Sequence, residues 1–330
     1  MSLSANIGLT IPTINLNSPN KIEVAAELRK ACIDIGFFYL DGHNIPTDFL
    51  EEVFEQSKML FDLPLSEKIA LTDKNSNRGY TSFEEEVLDV SLQTKRGDTK
   101  EGYYIAKHIP LDEPDYNPQK FRGPNVYPDN ANSSLDNPTQ FRDTMDSYYE
   151  LMSELGFKVV QLFALALELP EHHFDTFFNH NALAILRLLH YSNEESDPSD
   201  GVFACGAHSD YGMLTLLLTD SNPGLQILYK DQWIPVPPKK GLFIVNLGDM
   251  LERWTNGLFR STLHRVICNG ENERYSIPFF YEPNFDTLVE CLDGCWGEKN
   301  PKKYESVTMG EFLIAKYAET HKEYDPDRTD

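Results

Sequence analysis

Cysteine is sparse in this chain, and what there is does not pair off. Cys32, Cys205, Cys268, Cys291 and Cys295 are the five thiols in 330 residues, an odd number spread too widely for a disulfide framework. Cys291 and Cys295 have the spacing of half a zinc site, but no second pair stands near them, so packing or surface thiols are expected. Positive charge is scarce as well: 29 Lys and Arg stand against 52 Asp and Glu, a formal net charge of -23. Broad binding to nucleic acid or to an anionic membrane is disfavoured, because both need a concentrated positive surface. A small anionic ligand is not excluded, since one local arginine can outweigh the average field. No apolar run approaches the roughly 20 residues of a membrane span. The start MSLSANIGLTIP has no basic stretch leading into an apolar one, and the expected compartment is therefore the cytoplasm. Asn132-Ser133-Ser134 matches a glycosylation acceptor by letters, but without a secretory signal it reads as a polar loop. A glycine-rich phosphate loop after the first strand is missing too, and so is any internal repeat.

What is present is apolar and aromatic: 41% hydrophobic residues, with 20 Phe and 16 Tyr. That is enough for one large core or two closely packed regions. IPTINL at 11–16 reads as a short strand. Val24, Leu28, Ala31 and Ile35 carry helical periodicity through 22–35, and Gly36 then gives way to the strand-like FFYL at 37–40. A second helical stretch covers 47–60, and a short one begins near Ser66. The segment 75–80 and the Pro-, Asn- and Asp-rich stretch 110–138 read as loops, of the kind that close or shape active sites. From Asp136 or Thr139 to Leu169 the pattern is strongly helical, until Pro170 stops it. Strand-like segments follow near 183–189, 213–218, 224–229, 242–247 and 276–281, and a last helix is expected over 309–320 with a polar tail beyond it. This spacing predicts a β-sandwich or jelly roll whose rim loops can carry a site.

The strongest chemical signal is His208-Ser209-Asp210, with His264 further along. On a strand, positions i and i+2 share a face, so one imidazole and one carboxylate can meet a single ion. A histidine from another strand completes one face of an octahedron and leaves positions open for exchangeable ligands. Iron(II) and zinc both suit such a set. A core histidine or a turn-capping aspartate is the plain alternative for each residue taken alone. The neighbouring sequence narrows the choice. Ala207-His208-Ser209-Asp210-Tyr211-Gly212 runs into MLTLLL, Asn246-Leu247-Gly248-Asp249 precedes the distal histidine, and Arg274-Tyr275-Ser276 opens another apolar strand.

In these features the chain resembles the isopenicillin-N-synthase-like family of iron(II)/2-oxoglutarate oxygenases, which combines His-x-Asp, a distal His and Arg-x-Ser. The likeness starts at IPTINL and GFFYLDGHNIP, where His43-Asn44-Ile45 stands for the usual His-Gly-Ile. It continues through NRGYTSFEEE and GDTKEGYYI to the metal region. The resemblance implies a mainly β fold with an α/β N-terminal region, a distorted double-stranded β-helix (jelly roll) with supporting helices. It divides the chain into 1–138, an N-terminal α/β region with active-site loops, and 139–330, the long support helix, the catalytic core and the C-terminal helix.

The same resemblance implies that His208, Asp210 and His264 ligate Fe(II) and that Arg274 binds the distal carboxylate of 2-oxoglutarate with Ser276 as second donor. A guanidinium fork suits a carboxylate because it offers two charge-assisted hydrogen bonds. Tyr191 matches a tyrosine that faces co-substrate or substrate, although Ser192 replaces the usual proline and Leu189 replaces a common asparagine. His190 is expected to be structural, because a fourth protein ligand would take a position needed by 2-oxoglutarate or oxygen. Phe280 is the expected substrate wall and Phe279 the core-facing partner. Arg78, Tyr80, Lys100 and Tyr103 are further substrate candidates from the N-terminal loops, with loop stabilisation as their alternative. Trp254 and Asn256 fit either the pocket mouth or turn packing. The implied reaction is oxidation, with hydroxylation foremost, of a small organic metabolite by molecular oxygen, releasing succinate and CO2. The alternatives are an iron oxidase of the same family that does not use 2-oxoglutarate, and an inactive small-molecule-binding protein. The oligomeric state is left open.

Overall fold

Alternation of side chains along β-strands decides what reaches the site, so the sheets come first. The computed structural model describes residues 9–73, 78–131, 133–179 and 181–320. The expected loop at 75–77, Asn132 of the acceptor motif and the tail after residue 320 lie outside them. The N-terminal part holds β1 (Thr13–Asn15), α1 (Lys21–Asp34), β2 (Phe37–Asp41), α2 (Thr47–Phe61), α3 (Leu65–Ala70), β3 (Thr72–Asp73), β4 (Arg78–Thr81) and β5 (Lys100–Ala106). Then come α4 (Pro138–Ala166), β6 (Ala182–Tyr191), β7 (Cys205–His208), β8 (Leu214–Thr219), β9 (Leu225–Tyr229), β10 (Gln232–Pro235) and β11 (Phe243–Leu247). The chain finishes with α5 (Asp249–Trp254), β12 (His264–Val266), β13 (Arg274–Asn284), β14 (Leu288–Val289), β15 (Val307–Thr308) and α6 (Met309–Thr320).

Among the described residues, nine strands form the major sheet in the order β1-β2-β11-β8-β13-β6-β5-β4-β3. Four more form the minor sheet, β10-β9-β12-β7. The N-terminal strands thus flank the central strands of the same sheet on both sides. One face of the major sheet, through Leu186, Leu188, Leu216, Ile277 and Phe279, joins the helices in the larger core. Its other face, through Leu189, Tyr191 and Ile244, meets Cys205, Leu225, Ile227 and Val266 of the minor sheet. The molecule is a jelly roll with its helices banked against one side. The site lies in the interior, between the two sheets.

The helices follow the expected periodicity. In α4 the Asn137 side chain accepts from the Gln140 N–H at 3.1 Å, and Pro138 opens the first turn, where its missing N–H costs nothing. This helix ends at Ala166, short of the expected Leu169, because Glu168 takes a left-handed conformation (φ 62) and Leu169 N–H turns back to the Ala164 carbonyl. Residues 78–80, expected within the loop 75–80, belong instead to strand β4, hydrogen-bonded to β5. The whole of β5 was likewise unforeseen: all seven of its residues are buried, so it lacks the alternation that marks a half-exposed strand. Among the described residues, no helix is long and apolar enough to cross a membrane.

Candidate metal centre and active site

His208 closes β7 and His264 opens β12, and the antiparallel pairing of these strands sets the two residues directly opposite each other. Their ring centroids are 4.3 Å apart. Asp210 lies just beyond the end of β7, so it shares no strand face with His208. Its Oδ1 nonetheless stands 3.7 Å from His208 Nε2 and 3.6 Å from His264 Nε2. Among the described residues these three are the one group of His, Cys, Asp or Glu whose donor atoms all fall within 4.8 Å of one another.

The hydrogen bonds around the triad prepare each atom for a cation. His208 Nδ1 donates to the Gly206 carbonyl at 2.8 Å and His264 Nδ1 to the Thr262 carbonyl at 3.1 Å. Because a carbonyl only accepts, each ring must carry its proton on Nδ1, which leaves both Nε2 lone pairs directed at Asp210. Burial and the nearby His208 push the His264 pKa down to about 4, so the ring is neutral at pH 7. Burial opposes ionisation of Asp210, but the two imidazoles and hydrogen bonds from Thr215 and Asn246 outweigh it and hold the carboxyl below its usual range. Thr215 Oγ1 and Asn246 Nδ2 (2.6 Å) both donate to Oδ2. Only Oδ1 is left for a metal. Two imidazoles and a monodentate carboxylate on one side of a divalent ion suit iron(II) with exchangeable positions opposite.

A second subsite lies on the interior face of β6 and β13, where Arg274 pairs with Tyr191 and Ser276 with Leu189. The Arg274 guanidinium lies 4.8 Å from the Tyr191 ring centre, and Ser276 Oγ donates to the Tyr191 hydroxyl at 3.3 Å. Arg274 is 2% exposed, yet its Nε and Nη1 have no hydrogen-bond partner. A buried cation with unsatisfied donors is costly unless an anion meets it. The fork therefore fits the carboxylate of 2-oxoglutarate.

A cavity partly open to solvent adjoins the triad at His208 and Asp210. Phe280 lines it, together with Leu88, Ile185, Leu313, Tyr104 and Arg187, the last two of which the sequence did not single out. Glu282 is there as well, and burial pushes its carboxyl up to about 8 despite a hydrogen bond from the Met213 N–H.

Several of the N-terminal candidates stand elsewhere. Tyr103 is one residue out of phase: it turns to the helical side against Phe141, while Tyr104 faces the cavity. Tyr80 pairs with Tyr103 and shares its side. There Glu101 accepts from Tyr80 at 2.6 Å, from Lys68 at 2.7 Å and from His190 Nδ1 at 2.7 Å. His190 thus has a structural position, stacked on Tyr275. Arg78 donates to the Phe121 carbonyl at 2.6 Å and lines a separate crevice with Tyr149. Lys100 belongs to the interior face but does not line the cavity; it pairs with Glu86 at 2.9 Å and with Asp98. Phe279 packs edge-on against Tyr149. Trp254 is buried against Phe174 and Phe177, and Asn256 ties down the Cys295 and Pro301 carbonyls, so both serve packing.

Asn246 and Thr215 lie in Asn246-Leu247-Gly248-Asp249 and MLTLLL, but neither motif by itself marks a partner of Asp210. Their role depends on where β8 and β11 pair, Asn246 opposite Thr215. Gly248 belongs to the same design: a Cβ there would stand 2.2 Å from the Gly212 carbonyl oxygen, so only glycine lets this turn close on the Asp210 loop.

Comparison with known proteins gives a consistent picture. Residues 11–130 match a family described as non-haem dioxygenase in morphine synthesis, N-terminal, and residues 183–283 match the 2OG-Fe(II) oxygenase superfamily. The chain is 35% identical over 317 residues to the 2-oxoglutarate-Fe(II) type oxidoreductase hxnY of Emericella nidulans, covering 94% of this chain and 88% of the relative. It is 34% identical over 326 residues to the 2-oxoglutarate-dependent dioxygenase tropC of Talaromyces stipitatus, covering 94% and 95%. Among solved structures, a full-length Neurospora crassa protein in complex with alpha-KG and thymine superposes with a TM-score of 0.81 at 30% identity, covering 96% of this chain and 98% of that one.

Proposed function

The chain belongs to the 2OG-Fe(II) oxygenase superfamily, and from that premise we propose that His208, Asp210 and His264 hold its iron while Arg274, Ser276 and Tyr191 hold 2-oxoglutarate. The protein is a 2-oxoglutarate-dependent dioxygenase acting on a small organic metabolite, with Fe(II), 2-oxoglutarate and molecular oxygen as its requirements. The motif order from IPTINL through Arg274-Tyr275-Ser276 supports the isopenicillin-N-synthase-like branch. Five unpaired cysteines, four of them buried, support a reducing compartment, the cytoplasm.

When bound, the iron activates molecular oxygen and couples it to oxidative decarboxylation of 2-oxoglutarate, giving succinate, CO2 and an oxidised substrate, with hydroxylation as the proposed outcome. The protein's part is positioning. His208 and His264 offer Nε2, and Asn246 and Thr215 restrict Asp210 to one oxygen. Arg274 aims the co-substrate from a fixed depth. Phe280, Leu88 and Ile185 give the substrate side an apolar wall.

The single observation that carries the co-substrate assignment is the buried, unsatisfied Arg274 fork beside Tyr191 and Ser276. The test incubates the Fe(II)-loaded protein with 2-oxoglutarate, oxygen and a metabolite library, and follows succinate together with product mass. Succinate formed in step with a product heavier by one oxygen is the expected result. A substrate oxidised stoichiometrically without 2-oxoglutarate consumption would overturn the proposal.

A further inference from the structure

We propose that the buried Glu86–Arg187 ion pair is the polar anchor for the primary substrate, and that this substrate is an uncharged, largely apolar molecule presenting an acceptor oxygen to Arg187. The inference rests on the reading of the His208–Asp210–His264 cavity as the place of oxidation and names what that cavity selects.

Strand geometry supplies the first argument. On β6 the interior face carries Ile185, Arg187, Leu189 and Tyr191 at every second position. Tyr191 marks the co-substrate end, beside Arg274, and Ile185 and Arg187 line the cavity. One short strand therefore presents a group to each ligand in a fixed relation.

The second argument is the way Arg187 is held. Its Nη2 donates to Glu86 Oε1 at 2.6 Å, and the Tyr104 hydroxyl donates to the same oxygen at 3.1 Å. The guanidinium lies over the Tyr104 ring, 4.4 Å from its centre. Lys100 Nζ stands 2.9 Å from Glu86 Oε2 and pairs with Asp98 as well. Arg187 Nε is buried without a partner beside Gly102, where an added Cβ would stand 2.8 Å from Thr81 Oγ1, 3.0 Å from Nη2 and 3.1 Å from Nε. With Nη2 engaged and Nε turned to the strand, Nη1 is the donor left to the cavity. A guanidinium this constrained loses little entropy on accepting a ligand.

Charge gives the third argument. Two carboxylates, Glu86 and Asp98, match the two cations Arg187 and Lys100. At the centre, a bound iron(II) and Arg274 would be matched by Asp210 and a 2-oxoglutarate dianion. Among the described lining residues Arg187 is the sole cationic side chain outside the triad, and the other charged groups, Glu86 and Glu282, are acids. Whatever proton Glu282 carries, no uncompensated cation stands among the described lining residues for an anionic substrate, and a carboxylate would be desolvated next to Glu86. A neutral acceptor oxygen takes the Nη1 hydrogen bond without that penalty, and Leu88, Ile185, Phe280 and Leu313 cover the apolar remainder.

Three matched probes test this: 4-methylacetophenone, with a neutral acceptor; 4-methylbenzoate, its anionic counterpart; and p-xylene, with no polar group. Each is titrated against full-length protein loaded with Mn(II) and 2-oxoglutarate, and binding is read from paramagnetic broadening of the probe methyl protons. The ketone is expected to bind about ten-fold or more tightly than the benzoate, and Arg187→Met to weaken the ketone by a similar factor, as for loss of one hydrogen bond from a charged donor. Binding of p-xylene and of 2-oxoglutarate should stay unchanged in that variant. Gly102→Ala, which crowds the guanidinium without deleting it, should weaken the ketone alone and serves if Arg187→Met does not fold. Benzoate binding as tightly as the ketone, ketone binding indifferent to both variants, or no broadening of any probe by protein that binds 2-oxoglutarate would overturn the anchor. Failure of 2-oxoglutarate to bind the wild-type protein would instead overturn the underlying site assignment, and the anchor with it.

Discussion

Asn246 Nδ2 lies 2.6 Å from Asp210 Oδ2, the carboxylate oxygen turned away from both imidazoles. Together with Thr215 Oγ1 it occupies the oxygen that would otherwise swing toward a metal. Replacing Asn246 with Leu keeps the volume and removes the donor. The expected result is metal affinity lower by about 10–100-fold, the usual effect of losing such an outer partner. Titration of the apo protein with Co(II), followed by its visible absorption, measures this. Unchanged affinity in a folded variant would remove Asn246 from the metal site.

Arg274 should matter to 2-oxoglutarate and not to iron. Arg274→Leu takes away the two unsatisfied donors Nε and Nη1. The expected loss is about 3 kcal/mol, roughly two powers of ten in the dissociation constant, from charge-assisted hydrogen bonds. Calorimetry with 2-oxoglutarate on Mn(II)-loaded protein gives the value. Metal titration of the same variant should give a wild-type curve, and if metal affinity fell in parallel the two subsites would not be separable as described.

Glu282 supplies a pH signature. Burial pushes its folded-state pKa up to about 8, from 4.5 for an ordinary glutamate. Between these values the unfolded chain has released a proton that the folded chain retains. Folding therefore takes up a proton in this window, and the stability contribution falls as pH rises from about 4.5 to about 8, then levels off. Glu282→Gln keeps an acceptor for the Met213 N–H and cannot ionise. Its stability relative to wild type should rise with pH across that window, by an amount on the order of 4 kcal/mol at most. Urea unfolding of the apo proteins at pH 5 and pH 8 decides the matter, and a pH-independent difference would refute it.

Glu101 tests the two faces of the sheet against each other. Its carboxylate neutralises buried Lys68 and accepts from Tyr80 and His190, all on the helical side. Glu101→Ala strands the Lys68 charge, at a cost of roughly 3–5 kcal/mol. Yet 2-oxoglutarate affinity measured below the new melting temperature should be preserved, because neighbouring Lys100 and Gly102, not Glu101, share the interior face with Tyr191. The double variant Lys68→Met/Glu101→Leu should recover part of the lost stability. A collapse of 2-oxoglutarate binding in folded Glu101→Ala protein would contradict this division.

The His-Asp-His donor set was legible in the chain because donor type is a property of residues. His208, Asp210 and His264 stand together as expected, even though Asp210 gets there from a turn and not from a shared strand face. The long helices were legible for a similar reason: an apolar stripe such as Met145, Tyr148, Met152 and Val159 has a period that survives without knowledge of its partner. The all-buried β5 was not, since a strand covered on both faces shows no alternation.

Sequence alone determined which donor types stand in the chain: two imidazoles and a carboxylate in one motif set, and an arginine ahead of a serine in another. The tertiary structure decided which neighbours serve them. Tyr104 and not Tyr103 reaches the cavity, Arg187 and not Arg78 meets it, and Asn246 orients Asp210 from another strand. The physical reason is parity. A strand reverses its exposure at every residue, so only the register between strands says which of two adjacent tyrosines looks inward.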